Sequence, residues 1–222
     1  QAAGAAAGGQ LAPLLMMGAG LGTVMSVWLP FGDGSLWPLV CMAAVLAGVL
    51  GGSSLDAALL AHVNPGHPQA GFARALCYAS LRHGWSGAAL LAALSPRPPK
   101  PLIGALLRGA LTELRFLATP THAAVSETVN AAQAIDKNAA GYVNAVLRRF
   151  LRERESLQLR LREDSEAHHE HPRWLIERLR QDWPEQWESL CAAGNVAAPM
   201  WLRVDARHIG AATLPAAHKD SH

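Results

Sequence analysis

Arginines recur on successive turns of one helical stretch, Gly141 to Leu161, where Arg148, Arg149, Arg152 and Arg154 occupy the faces left by Val143, Val146, Leu147, Phe150 and Leu157. A guanidinium offers forked donors that match phosphate oxygens, and the connection before this stretch adds Lys137 and Asn138. The pattern suits binding to a polyanion. It also suits a solvated face whose arginines pair with Glu153, Glu155 and Glu163, and the residues alone leave both readings open.

Other chemistry-bearing groups point to structure. The run His168, His169, Glu170, His171 holds zinc's common ligand, but neighbours on one chain rarely converge on one ion, and the spacing of four that places two ligands on a helix face is missing. It is expected to be a solvated linker that enters a helix at Pro172, with no metal. Gly18, Gly20 and Gly22 superficially suggest a nucleotide loop but lack the preceding strand, the third-glycine spacing and a downstream acid, so they are read as close-approach points between apolar helices. Trp174, Trp183, Trp187 and Trp201 have rings that stack on bases, yet helical spacing assigns most of them to packing. Cys41, Cys77 and Cys191 are odd in number and far apart, which fits neither a disulfide framework nor a metal knuckle and implies a reducing compartment.

The elements that position these residues are helical. Leu36 to Leu50 is an apolar run of buried-helix length that ends at two glycines. Ser53 or Ser54 caps the next helix, with Asp56 in its first turn, and Asn64 to Pro68 is a loop. Periodicity returns over Ala70 to Arg82 and Trp85 to Leu94; the prolines from Pro96 to Pro101 then separate it from Leu102 to Leu117. Thr121 to Ile135 follows, capped by Thr121 and with Glu127 on its outer face. After the arginine-rich stretch, Trp174 to Gln181 and Pro184 to Ala193 form two more helices, and Pro199 to Arg207 reads as the beginning of a strand.

Charge divides the chain. The first 55 residues carry one formal charge, Asp33, although the whole chain has 19 Lys and Arg against 17 Asp and Glu. A net charge of +2 is too small to imply a nucleic-acid partner by itself, so charge arrangement carries that argument. Leu11 to Leu29 is chargeless and nearly long enough to span a bilayer. With neither an initiator Met nor a basic segment before that run, the opening reads as an internal fragment rather than a signal peptide.

Two resemblances follow. GGQLAPLLMMGAGLG with LWPLVCMAAVLAG resembles a late part of the CLC chloride channel and transporter family, with Leu11 standing where that family's loop has Phe. GSSLDAAL, RALCYASLR, ATPTHAAVSETVNAAQAI and GYVNAVLRRF, in that order, resemble the NusB-like all-helical domain; with HPRWLIERLR and PMWLRVD they are similar to the amino-terminal part of the RsmB family of cytosine-5 ribosomal RNA methyltransferases. That resemblance implies an all-α, NusB-like orthogonal helical bundle in the cytoplasm that binds ribosomal RNA. It places Lys137, Asn144, Arg148 and Arg149 on the RNA side, to which the arginine pattern adds Arg152, with Arg74 and Arg82 as outlying candidates and His122 and Glu127 structuring a helix junction. The layout it implies is an apolar, membrane-like segment over 1–51, the bundle over 52–165, linker helices and the start of a further subdomain over 166–207, and a tail over 208–222. S-adenosylmethionine is implied for the full-length family. Within this sequence no cysteine sits in a Pro-Cys loop and no Gly-rich strand-to-helix turn follows, so no catalytic residue is assigned and the chain is expected to bind without turnover. The alternatives are a protein-docking module that uses exposed helix faces, and a channel fragment whose front associates with a membrane.

Overall fold

A computed structural model describes residues 36–196, which form eleven helices and, among the described residues, no strand. The expected strand over Pro199 to Arg207, Trp201, the tail and the Gly18 to Gly22 run lie outside them. The helices are α1 (Leu36–Leu50), α2 (Leu55–His62), α3 (Ala70–Arg82), α4 (Gly84–Leu94), α5 (Pro101–Phe116), α6 (Thr121–Ile135), α7 (Ala140–Arg152), α8 (Arg154–Glu163), α9 (Ser165–His169), α10 (Arg173–Asp182) and α11 (Trp187–Gly194).

The central element is α1. A helix apolar on every side needs apolar neighbours on every side, and α1 has them in α2, α3, α5 and α6. Trp37 to Leu46 are all buried, with Met42, Ala43 and Val45 wholly so. This corrects the expectation that residues 1–51 stand apart: the last fifteen, half of the channel-like resemblance, are core of the bundle. None of the described helices is long and apolar enough to cross a membrane.

Local signals set the helix ends. After α1 the Gly52 N–H donates to the Val49 carbonyl and the Ser53 N–H to that of Gly48, a Schellman closure that puts Gly52 at φ 102°, where a side chain is strained. The Ser54 hydroxyl accepts the Ala57 N–H at 3.2 Å and caps α2. Pro101 takes the first turn of α5. Pro120, not Thr121, is the N-cap of α6, and Thr121 is its first helical residue.

The arginine-rich stretch is not one helix. It breaks at Glu153, so that α7 packs on α5 and α6 while α8 turns to lay Leu157 and Leu161 toward α4. Nor is the histidine-rich run a solvated linker. Asp164 caps α9 through bonds from the Glu166 and Ala167 N–H groups, and α9 packs on α4 and α8. Glu170, His171 and Asn195 are then tied inward: Asn195 Nδ2 donates to the His169 carbonyl at 2.8 Å, and Trp187 meets the His169 ring edge-on. Trp174 and Trp183 are exposed rather than packed, because Ile176 alone of α10 is buried.

Candidate nucleic-acid interface

One side of α7 is apolar, with Val143, Val146, Leu147 and Phe150 buried against the bundle. That fixes what the opposite side presents. Asn144, Arg148 and Arg152 recur every four residues and share one stripe. Arg148 Nε donates to Asn144 Oδ1 at 3.1 Å, which holds the guanidinium along the helix surface, still exposed. Arg152 is exposed and makes no ion pair among the described residues.

Lys137 continues the stripe from the turn that feeds α7. Asp136 builds that turn: its Oδ1 accepts the Asn138 N–H at 3.0 Å and its Oδ2 pairs with Lys100 Nζ at 2.7 Å. The Lys100 hydrogen bond, then that from Asn138, holds the Asp136 carboxyl below the usual range. Lys100 is therefore occupied, whereas Lys137 stays exposed and unpaired among the described residues.

Arg149 has a different role from its neighbour. Nε pairs with Glu153 Oε1 at 2.9 Å and Nη1 donates to the Leu94 carbonyl at 3.2 Å. The hydrogen bond to Glu153 pushes the Arg149 pKa up and the Glu153 pKa down. Leu94 ends α4, so Arg149 satisfies a terminal carbonyl and braces α7 against that helix. Its fork faces protein.

The remaining candidates are elsewhere. Arg74, exposed, and Arg82, half-buried, sit on α3, which packs on α1 and α5 and is not seated on α7. His122 is exposed in the first turn of α6. Glu127 is half-buried rather than outward-facing; partial burial raises its pKa, and its charge in turn raises that of Glu113. Sequence reasoning missed the segment 95–97. Tyr142 donates to Ser95 Oγ at 2.7 Å, and the Ser95 hydroxyl donates to the Arg97 carbonyl at 2.5 Å, so exposed Arg97 is tethered beside the start of α7. No spacing rule signals a contact made across 47 positions.

The thiols are unsuited to nucleophilic work. Cys41 and Cys77 are buried, and burial pushes both up to about 12, which leaves almost no thiolate near neutrality. Burial also raises Cys191.

Residues 51–152 match the NusB family, and residues 171–217 match the Methyltr_RsmF/B-like, ferredoxin-like domain. Similar relatives are named ribosomal RNA small subunit methyltransferase B. The one from Pseudomonas syringae pv. tomato is 38% identical over 177 residues, 77% of this chain and 40% of the relative. That of Pseudomonas putida is 39% identical over 177 residues, 77% of this chain and 41% of the relative. A relative from Vibrio cholerae is 36% identical over 137 residues, 60% of this chain and 32% of its own length. The chain thus spans about two-fifths of the length of the first of these curated relatives.

Proposed function

We propose that this chain, which carries a NusB-family domain over residues 51–152, binds ribosomal RNA through the stripe Lys137, Asn144, Arg148 and Arg152 and serves as an RNA-docking part of a cytosine-5 ribosomal RNA methyltransferase. The observation that carries the reading is the division of labour on α7. Arg149 is consumed by Glu153 and Leu94, while Arg148 and Arg152 project from the same helix without a carboxylate partner among the described residues. Solvated arginines kept clear of carboxylates suit phosphate oxygens, and relatives named for ribosomal RNA support the choice of polyanion. A methyl donor, S-adenosylmethionine in this reading, would supply the transferred carbon in the full-length family. Residues 36–196 contain no strand-to-helix glycine turn to hold it, and no methyl-transfer step is assigned to them.

The test replaces Arg148 and Arg152 together by Glu and titrates the full chain with a labelled small-subunit ribosomal RNA fragment. Affinity should fall at least about tenfold near 0.1 M salt, and the log–log salt slope should become shallower by roughly 1.5 to 2, because each lost phosphate contact removes about 0.7–0.9. Arg149→Glu should instead lower thermal stability by disturbing the α4–α7 brace. Unchanged affinity in the double variant, with unchanged helicity, would remove α7 as the interface.

A further inference from the structure

Where the bundle meets α9 there is a cleft of about 340 Å³, at the small end of the roughly 300–1,000 Å³ range of ligand clefts. His83, Arg115, Gln158, Arg162, His168 and Asn195 line it. Glu170 also borders it, but its carboxylate is committed inward: its side chain is 5% exposed, and Oε2 accepts the N–H groups of Trp85 at 3.1 Å and Ser86 at 3.0 Å. The Ser86 hydroxyl donates to the other oxygen, and His83 Nδ1 lies 3.4 Å away. The anion-binding end of α4 is therefore already filled by the chain itself.

The cations at the cleft are not filled. Arg115 donates once, from Nη1 to Ser86 Oγ at 2.6 Å, out of five N–H groups a guanidinium carries. Neither Arg115 nor Arg162 has a carboxylate within 4.0 Å among the described residues. Burial works against the Arg115 charge, Glu170 favours it, and Arg154 nearby again works against it. Two uncommitted guanidinium groups, two imidazoles and two amides around one small opening present donors in excess of acceptors, the chemistry of an oxyanion site.

We infer that this cleft takes a phosphodiester group of the same RNA, a second contact point beyond the α7 stripe; the inference rests on the RNA-binding reading. The class of anion follows from position. Arg162 lies on α8, which continues directly from α7, so the cleft and the stripe Asn144–Arg148–Arg152 are borne by consecutive helices, as successive phosphates of one backbone require.

The experiment titrates the full chain with the labelled ribosomal RNA fragment across a salt series, comparing the parent with Arg162→Ala, Arg162→Glu and the control Arg178→Ala. Arg178 is exposed on α10, pairs with Asp182 at 2.7 Å and removes the same charge elsewhere. Arg162→Ala should weaken binding about three- to tenfold and make the salt slope shallower by roughly 0.7–0.9, Arg162→Glu more, and Arg178→Ala neither. Imidazole resonances of His83 and His168 should shift on adding RNA to the parent and fail to shift with Arg162→Glu. If the Arg162 variants bind like the parent while Arg148→Glu with Arg152→Glu does not, the cleft is refuted and the α7 reading stands. If only the Arg162 variants lose affinity, the cleft stands and the stripe fails. Equal losses in Arg178→Ala would reduce the effect to net charge and overturn the cleft, and a parent that binds no RNA overturns both.

Discussion

Glu113 is 1% exposed on α5, and its Oε2 has no hydrogen-bond partner among the described residues. Burial raises its pKa above the ordinary 4.5, a hydrogen bond with Thr119 partly offsets this, and the charge of Glu127 raises it further. A raised acid binds its proton more tightly folded than unfolded. Its contribution is complete below pH 4.5, where both states are protonated, and is lost as pH rises through the folded-state value. Glu113→Gln keeps the shape without the charge, so it should raise stability above neutrality by about 1 kcal/mol, roughly 3 °C in Tm, and flatten the decline between pH 5 and 8. Thermal melts at pH 4, 6 and 8 check this, and a variant less stable than the parent at pH 8 would refute it. The same scale explains how much of the interface was legible. The arginine spacing shows that α7 carries cations, but Arg148 and Arg149 differ by a rotation of about 100°, and the Leu94 carbonyl that captures Arg149 comes from 55 positions away. Periodicity reports faces; it does not report what lies opposite them.

Among elements, α1 and α5 make the closest approach. A Cβ built on Gly109 would overlap the sulfur and methyl of Met42, which is itself wholly buried. Alanine at a helix interior ordinarily gains about 1 kcal/mol over glycine, whereas forcing an extra methyl into a packed core costs about 1–3 kcal/mol. Met42 has no solvent side to escape to, so the second effect wins. Gly109→Ala should destabilise by about 1–2 kcal/mol in urea melts, and in a Met42→Ala background it should become neutral or favourable, a coupling of at least about 1 kcal/mol. A stabilising Gly109→Ala in the parent background would show that α1 does not sit against α5 in this way. Helix bounds such as Ala70–Arg82 and Thr121–Ile135 coincide with those read from the sequence because prolines and polar loops flank them. The place of Leu36–Leu50 was not legible. Apolar residues on all faces describe a core helix and a membrane segment alike, and the partners that decide between them begin downstream, at α2.

Across the whole described molecule, one side chain joins the linker helices to the bundle. Glu170 lies at φ 56°, the left-handed region, where a residue with a Cβ is held at a cost of about 1 kcal/mol. That geometry turns the chain after α9 so that the carboxylate reaches the first amides of α4, 84 and 85 positions earlier, while Arg115 closes the relay through Ser86. The connection fixes where α10 and α11 begin relative to the helices that carry the cationic stripe. Removing the carboxylate leaves the Trp85 and Ser86 N–H groups without their partner, so Glu170→Ala should destabilise by about 2–3 kcal/mol. Glu170→Gly removes the same bonds but relaxes the backbone, and should be less damaging by about 1 kcal/mol. Hydrogen exchange at the Trp85 and Ser86 amides should accelerate in both variants, and proteolysis within 164–172 should become faster while amides of α1 and α5 keep their protection. If those two amides stay protected in Glu170→Ala, or if Gly and Ala are equally damaging, then neither the cap nor the turn is what holds the linker down, and its orientation must come from the packing of α9 on α4 and α8.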